Sequence, residues 1–132
     1  MSDRTLRLFV GALAAAGLLV AGYLTYARYS DTTITCSSGG CETVQKSSYA
    51  TVAGIPVAVL GLVGYAAILA TAFVVGDVAR AAGAALALGG FAFSMFLLYA
   101  QLVPIDAVCD WCVANDVIVT LLVPFTVLRL RR

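Results

Sequence analysis

Long stretches without charge dominate this sequence. Uncharged runs of 20, 30, 25 and 12 residues follow Arg7, Lys46, Arg80 and Asp116, and together they make up 87 of the 132 residues. A bilayer core about 30 Å thick requires roughly 20 apolar residues in a helix, so each of the first three runs is long enough to cross a membrane. The fourth is too short. A last span therefore requires a helix that begins near Val108, before Asp116.

This pattern predicts an all-α integral membrane protein whose residues 1–132 form a single domain. The composition, 62% hydrophobic and 11% charged, excludes an ordinary soluble domain. A net charge of +1 gives no indication of nucleic-acid binding. Pro56 suits the first turn of a helix, and Pro104 suits a helix end. The expected transmembrane helices cover about residues 7–27, 55–76, 81–103 and 108–128, with an extracytoplasmic loop at about 28–54.

The basic residues predict the orientation of the chain. With four spans both termini lie on one side, which carries six basic residues, and the opposite side carries Arg28 and Lys46. Basic residues accumulate on the cytoplasmic side. We therefore expect a multi-pass protein of the inner or plasma membrane with both termini in the cytoplasm. A cleaved signal peptide is the alternative for the N-terminal segment, but its apolar run exceeds the usual length of about 7 to 15 residues.

All four cysteines fall on the extracytoplasmic side of this topology. Cys36 and Cys41 lie in the long loop, and Cys109 and Cys112 lie at the start of the last helix. They could be small buried hydrophobes, structural disulfides or thiolate ligands of zinc. Their segregation argues against the first, and their outward position argues against zinc. Near-neighbour disulfides close short rings and stabilise little. We favour two redox-active pairs and no bound metal.

The Cys109-x-x-Cys112 motif indicates thiol chemistry. At the start of a helix, unpaired backbone N–H groups favour a thiolate, the form that attacks disulfides. The chain has no histidine for a haem and no glycine-rich nucleotide motif. The electron acceptor must therefore come from outside, and a lipid-soluble quinone beside Cys112 is the simplest candidate. Four aromatic residues could line its pocket, although ordinary packing is the favoured interpretation of each: Phe91, Phe93, Phe96 and Tyr99.

The sequence resembles the vitamin K epoxide reductase (VKOR) family, in particular its small bacterial members. Both have a loop cysteine pair followed by Cys-x-x-Cys at the last helix. The similar thiol oxidase DsbB has its Cys-x-x-Cys in the first outward loop, so the order of motifs favours VKOR. The segment after the second loop cysteine also matches, including a serine six residues on: Cys41-Glu42-Thr43-Val44-Gln45-Lys46-Ser47-Ser48-Tyr49-Ala50, followed by Gly54-Ile55-Pro56.

The resemblance implies a four-transmembrane-helix bundle around a quinone, with a short interfacial helix at about residues 41–48 of the first extracytoplasmic loop. In such a protein Cys36 meets a separate thioredoxin-fold, DsbA-like partner, and Cys41 exchanges with Cys109. Cys112 then reduces the quinone, either menaquinone or ubiquinone. All four cysteines are expected to be catalytic.

Three residues are expected to contact the quinone by the same resemblance: Ser47, Cys112 and Asp116. Some family members have a tyrosine at the position of Asp116. A charged group near the membrane boundary is a functional candidate. The favoured interpretation nevertheless places Asp116 at the interface, where water and the helix N-terminus satisfy it.

These observations predict a quinone-dependent membrane thiol oxidoreductase that supports disulfide bond formation. The main alternative is a small multidrug-type transporter with structural disulfides. A proton-coupled carrier is expected to hold an acidic residue in mid-membrane, and the first three spans hold none. A structural subunit that packs through small residues is a further alternative, but it leaves the four outward cysteines unexplained.

Overall fold

Four helices form the body of the part of the chain that the structure describes. The computed structural model describes residues 2–30, 51–52, 54–103 and 110–131. Three of the described helices are long and apolar enough to cross a membrane, and the other is a shorter apolar helix of 17 residues, about 26 Å long. The expected all-α membrane fold is confirmed, and the expected interfacial helix falls outside the described residues. The helices are α1 (Asp3–Ser30), α2 (Val57–Phe73), α3 (Asp77–Leu102) and α4 (Asp110–Leu130).

The helices extend beyond the uncharged runs at several ends. α1 begins at Asp3 rather than residue 7, and α3 begins at Asp77 rather than residue 81. A helix is held by its main-chain hydrogen bonds, so it continues past the apolar segment into charged residues. The Ser2 hydroxyl caps α1 by accepting a hydrogen bond from the Thr5 N–H at 3.2 Å. Uncharged length thus locates a span but not the ends of its helix.

A small hairpin precedes α2 and corrects the expected start of the second helix. Strand β1 (Thr51–Val52) pairs antiparallel with β2 (Ile55–Pro56). Gly54 in the connection has φ +83°, a left-handed conformation that favours glycine. Pro56 therefore ends a strand instead of occupying the first helical turn, and α2 begins at Val57. The φ of −59° at Pro56 suits both a strand end and a first helical turn, so the proline alone does not distinguish these two positions.

The bundle packs with α1 against α2 and α4, and with α3 against the same two helices. α1 presents a buried stripe at spacings of three and four residues, the repeat of one helix face. Gly17 on this stripe lies against the Tyr65 ring, which a Cβ at this position would overlap. Small residues thus allow close approach of α1 and α2. The stripe consists of Leu6, Val10, Ala14, Gly17, Ala21, Leu24 and Ala27.

Large apolar side chains cover the outside of the bundle on every helix. Leu19 is 77% exposed, and Val63, Phe96 and Val117 are each more than half exposed. Soluble monomers rarely expose contiguous apolar surface of this kind. The outer surface therefore suits a lipid environment.

One end of the bundle carries an ion-pair cluster, which we call the terminal end because α1 begins and α4 ends there. Asp3 Oδ1 lies 3.7 Å from Arg80 Nη2 and 3.5 Å from Arg129 Nε. Arg80 also lies 3.8 Å from Asp77. The Arg129 side chain is only 2% exposed. These contacts hold the starts of α1 and α3 against the end of α4.

Two arginines at this end, Arg129 and Arg7, also cap α2. Arg129 donates to the carbonyls of Thr71 and Val74, at 2.8 and 2.7 Å. Arg7 Nε donates to the Ala72 carbonyl at 2.7 Å. The last carbonyls of a helix lack intrahelical partners and carry its negative dipole end, so cations stabilise them. The terminal end thus joins all four helices.

Candidate functional site

Cys112 lies in the first turn of α4, at the opposite end of the bundle from the ion pairs. It is half-buried and packs against a small core formed by Leu24 and Ala27 of α1. The neighbouring Trp111 packs on Tyr23 of α1, with ring centroids 4.9 Å apart. Apolar contacts with α1 therefore position the cysteine. We call this region the cysteine end.

The segments that carry the other cysteines meet the described structure at this same end. Ser30 ends α1, Val103 follows α3, and Asp110 begins α4. The residues themselves, Cys36, Cys41, Ser47 and Cys109, lie outside the described residues. Their predicted pairings, the contact of Ser47 with a quinone and the zinc alternative therefore stay predictions.

A cavity of about 190 Å³ opens among the four helices beside Cys112. Cys112 and Asp116 both line it, as expected for residues four apart on one helix face. Gly64 of α2 also lines it, and a Cβ added there would have no neighbour within 4 Å. The absent side chain of Gly64 thus leaves room inside the bundle. Most other lining residues are apolar: Val20, Ala21, Leu24, Val57, Ala58, Leu60, Gly61, Ile68, Leu86, Gly90, Phe93, Leu97 and Val119.

A chain of hydrogen bonds crosses the cavity wall and links three helices. The Tyr65 hydroxyl of α2 donates to Asn115 Oδ1 of α4. Asn115 Nδ2 donates in turn to Ser94 Oγ of α3, at 3.2 Å. Buried polar groups are costly unless they are paired, so this chain fixes the facing sides of α2, α3 and α4.

Asp116 is buried, with 7% of its surface exposed. Its Oδ2 has no hydrogen-bond partner among the described residues. Asp116 thus lies within the bundle, and its expected place at the membrane interface, satisfied by water and the helix N-terminus, stays a prediction. The Asp116 side of α4 faces the interior of the bundle, where residues of all four helices line the cavity.

Of the four aromatic candidates, Phe93 lines the cavity, whereas Phe96 and Tyr99 are more than half exposed. The sequence interpretation did not select Tyr65, Ser94 or Gln101, which also line the cavity. A signal for them existed, because hydroxyl and amide groups inside apolar spans are functional candidates. Gln101 is 2% exposed, which is the burial expected of such a group.

The sequence profile of the Vitamin K epoxide reductase family matches residues 8–127, which include all four helices except their outermost turns. The match covers the four cysteines and the residues of the cavity. It confirms the resemblance that the cysteine motifs indicated. The chain therefore belongs to the vitamin K epoxide reductase family, and is a membrane thiol oxidoreductase.

Proposed function

We propose that this protein is a quinone-dependent thiol oxidase that reoxidises a separate thioredoxin-fold, DsbA-like protein and so supports disulfide formation. The main observation in support of this proposal is that Cys112 lines a largely apolar cavity inside a bundle of membrane helices. Members of the family use quinone for electron transfer and are redox-coupled to thioredoxin-like partners. The direction of transfer and the identity of the partner are the parts proposed here for this chain.

The size of the cavity supports this proposal, because it has room for a six-membered ring. Its volume of about 190 Å³ exceeds the roughly 150 Å³ of an apolar cavity that accommodates benzene. Leu60 of α2 and Leu86 and Phe93 of α3 line the cavity and are each more than a third exposed. We infer that the cavity opens to lipid beside these side chains, where an isoprenoid tail would extend. Tyr65, Cys112 and Asp116 place polar atoms on the inner wall.

The proposed relay moves two electrons through successive disulfides. Cys36 accepts them from the partner, and Cys41 exchanges with Cys109. Cys112 then donates them to the acceptor as the Cys109–Cys112 disulfide forms. A bound quinone supplies the sink, because it takes up two electrons and two protons. The N–H groups of the first turn of α4 favour the Cys112 thiolate.

We also propose that the cysteine end faces the extracytoplasmic side of the inner or plasma membrane. Arg7, Arg80 and Arg129 all lie at the terminal end. Basic residues favour the cytoplasmic side. This orientation brings the cysteines to an oxidising compartment, where disulfides persist.

The transporter alternative gains one feature from the structure, because Asp116 is a buried acidic residue in α4. Membership of a thiol oxidoreductase family favours the oxidase. Substitution of Cys112 distinguishes the two functions, because a transporter whose cysteines form structural disulfides does not need a reactive thiol at the cavity.

The direct test is reconstitution of the full chain with a reduced thioredoxin-fold oxidant and either menaquinone or ubiquinone. Quinone reduction measured by absorbance should occur with the wild type and fall at least a hundredfold in Cys112→Ala. Tyr99→Phe, an exposed substitution on α3, is the control and should react like the wild type. Persistent quinone reduction by Cys112→Ala contradicts the assigned mechanism.

Trapping tests the order of the relay. Cys112→Ala should accumulate a Cys41–Cys109 bridge, because the resolving thiol is absent. Alkylation and peptide mass spectrometry under non-reducing conditions identify the bridge. Recovery of Cys36–Cys41 alone refutes the order.

A further inference from the structure

The carboxyl of Asp116 is a buried polar group that the thiol relay does not use. Asp116 Oδ2 lies at the cavity without a partner among the described residues. The other buried side-chain atoms in this condition belong to Asp3, Arg80 and Arg129, which have opposite charges within 4 Å. Among the described residues, Asp116 therefore combines burial and an unpaired carboxyl oxygen with a place on the cavity wall.

Titratable groups on the cavity wall are few. α1 and α3 contribute none to the lining, α2 contributes Tyr65, and α4 contributes Cys112 and Asp116. The Tyr65 hydroxyl already donates to Asn115. Among the residues that the structure describes, Asp116 is thus the group on the wall, besides the thiol itself, that can exchange a proton with a molecule in the cavity.

The helix geometry brings this carboxyl close to the reacting sulfur. Cys112 and Asp116 are four residues apart in α4, so their side chains lie on the same face, one turn apart. The hydrogen bonds of Asn115 to Tyr65 and Ser94 hold that face toward the interior. Asp116 consequently lies deeper in the cavity than Cys112, and both face the same space.

We propose that Asp116 is the proton relay of the thiol-to-quinone step, taking the proton that the Cys112 thiol gives up as its thiolate forms and delivering it to a quinone oxygen. This inference rests on the proposed function. Oxidation of Cys109 and Cys112 forms one S–S bond and releases two electrons and two protons. The quinone gains both electrons and both protons, and its two carbonyl oxygens become hydroxyls. Asp116 is protonated and deprotonated in each transfer and is not consumed.

A carboxyl suits this role because it accepts a proton on one oxygen and presents it again as an O–H donor. The chain contains no histidine to serve instead. Proton transfer by a positioned side chain commonly contributes about 10²- to 10⁴-fold in rate. The effect of removing Asp116 should therefore appear in kcat more than in quinone affinity.

The test compares full-length wild type with Asp116→Asn, which keeps the shape of the side chain but cannot exchange a proton in the same way. Dithiothreitol is the electron donor, and menadione or a short-tailed ubiquinone is the acceptor. We expect kcat of Asp116→Asn to fall at least about a hundredfold, the lower end of the range for general acid–base catalysis. Asp116→Glu should recover part of the loss. Asp77→Asn, an exposed carboxyl at the terminal end, should be unchanged.

Quinone binding provides a readout that does not depend on turnover. Trp111 is the single tryptophan of the chain and adjoins Cys112, so a bound quinone should quench its fluorescence. We expect Asp116→Asn to change the Kd from this titration less than threefold. A loss confined to Kd would make Asp116 only a binding contact and overturn the relay.

Chemical rescue of a second variant tests the proposal even if Asp116→Asn alters the folding of the protein. Formate should restore kcat of Asp116→Ala in a concentration-dependent way and leave Cys112→Ala inactive. If the wild type turns over and the kcat of Asp116→Asn is within threefold of the wild-type value, the proton relay is wrong but the proposed oxidase is not. A wild type that binds quinone without reducing it overturns the proposed oxidase itself.

Discussion

The two ends of the bundle differ in how their buried charged groups are paired. At the terminal end, the guanidinium of Arg129 is buried between Asp3 and the last carbonyls of α2. At the cysteine end, Asp116 is buried beside a cavity with one carboxyl oxygen unpaired. The terminal end therefore joins the four helices, and the cysteine end keeps a thiol and a carboxyl accessible from the cavity.

The difference shows that the terminal end of this small membrane protein stabilises the fold, whereas the cysteine end holds the reactive groups. A buried charge that loses its partner is strongly destabilising, so the stability of the terminal end depends on the pairing of the buried Arg129 with Asp3. Unpaired buried groups are retained where a ligand completes them. Substitutions should therefore lower stability at the terminal end and change quinone kinetics at the cysteine end.

Arg129→Leu should have the largest effect on stability. It removes the cation that pairs with Asp3 and caps α2, and breaking a buried pair costs roughly 3 to 5 kcal/mol. Denaturant unfolding in detergent measures this loss. Arg131→Leu, an exposed substitution two residues later, is the control. Equal stabilities of the two variants would contradict the importance of the ion-pair cluster.

Gly17→Ala should destabilise the contact between α1 and α2. The new Cβ would overlap the Tyr65 ring, and overpacking of this kind typically costs about 1 to 3 kcal/mol. Gly22→Ala is the matched control on the same helix, because its Cβ would contact Leu62 at an ordinary 3.9 Å. Thermal unfolding compares them. The prediction fails if Gly17→Ala is as stable as Gly22→Ala.

Gly64→Leu should fill the cavity with a side chain. We expect KM for quinone to rise about tenfold, which corresponds to roughly 1.4 kcal/mol, with little loss of stability. Gly89→Leu on α3 adds the same side chain into open space away from the cavity. Steady-state kinetics distinguish the two, and an unchanged KM in Gly64→Leu argues that the quinone binds elsewhere.

Tyr65→Phe should have the smallest effect of this series. It removes the hydroxyl that donates to Asn115, and a hydrogen bond of this type contributes about 1 kcal/mol. We expect a small loss of stability and a turnover lowered by a few fold, because the facing side of α4 becomes less fixed. Tyr99→Phe serves as the exposed control. Identical behaviour of the two variants would exclude a contribution of the hydrogen-bond chain.

Much of the fold was predictable because the membrane restricts the possible structures. Uncharged length predicted the helices, since only helices and closed barrels satisfy the backbone in lipid. The cysteine motif predicted that Cys112 lies in the opening turn of the last helix, as α4 shows. The hairpin before α2 was not predicted, because two strands of two residues carry too little pattern.

The candidate site was less predictable than the fold. The cysteines are recognisable by residue type and spacing, whereas Tyr65, Ser94 and Asn115 lie far apart in the sequence and meet through tertiary packing. Arg129 likewise reads as one more terminal basic residue, although it is almost completely buried.

The sequence by itself thus determined the membrane location, the four helices and the family, because hydrophobic length and cysteine spacing are local properties of the chain. Only the tertiary structure decided that Cys112 and Asp116 share a cavity with Tyr65, and that Asp3 meets Arg129. The physical reason is that burial and pairing depend on which helix faces meet, and no single segment specifies its neighbour.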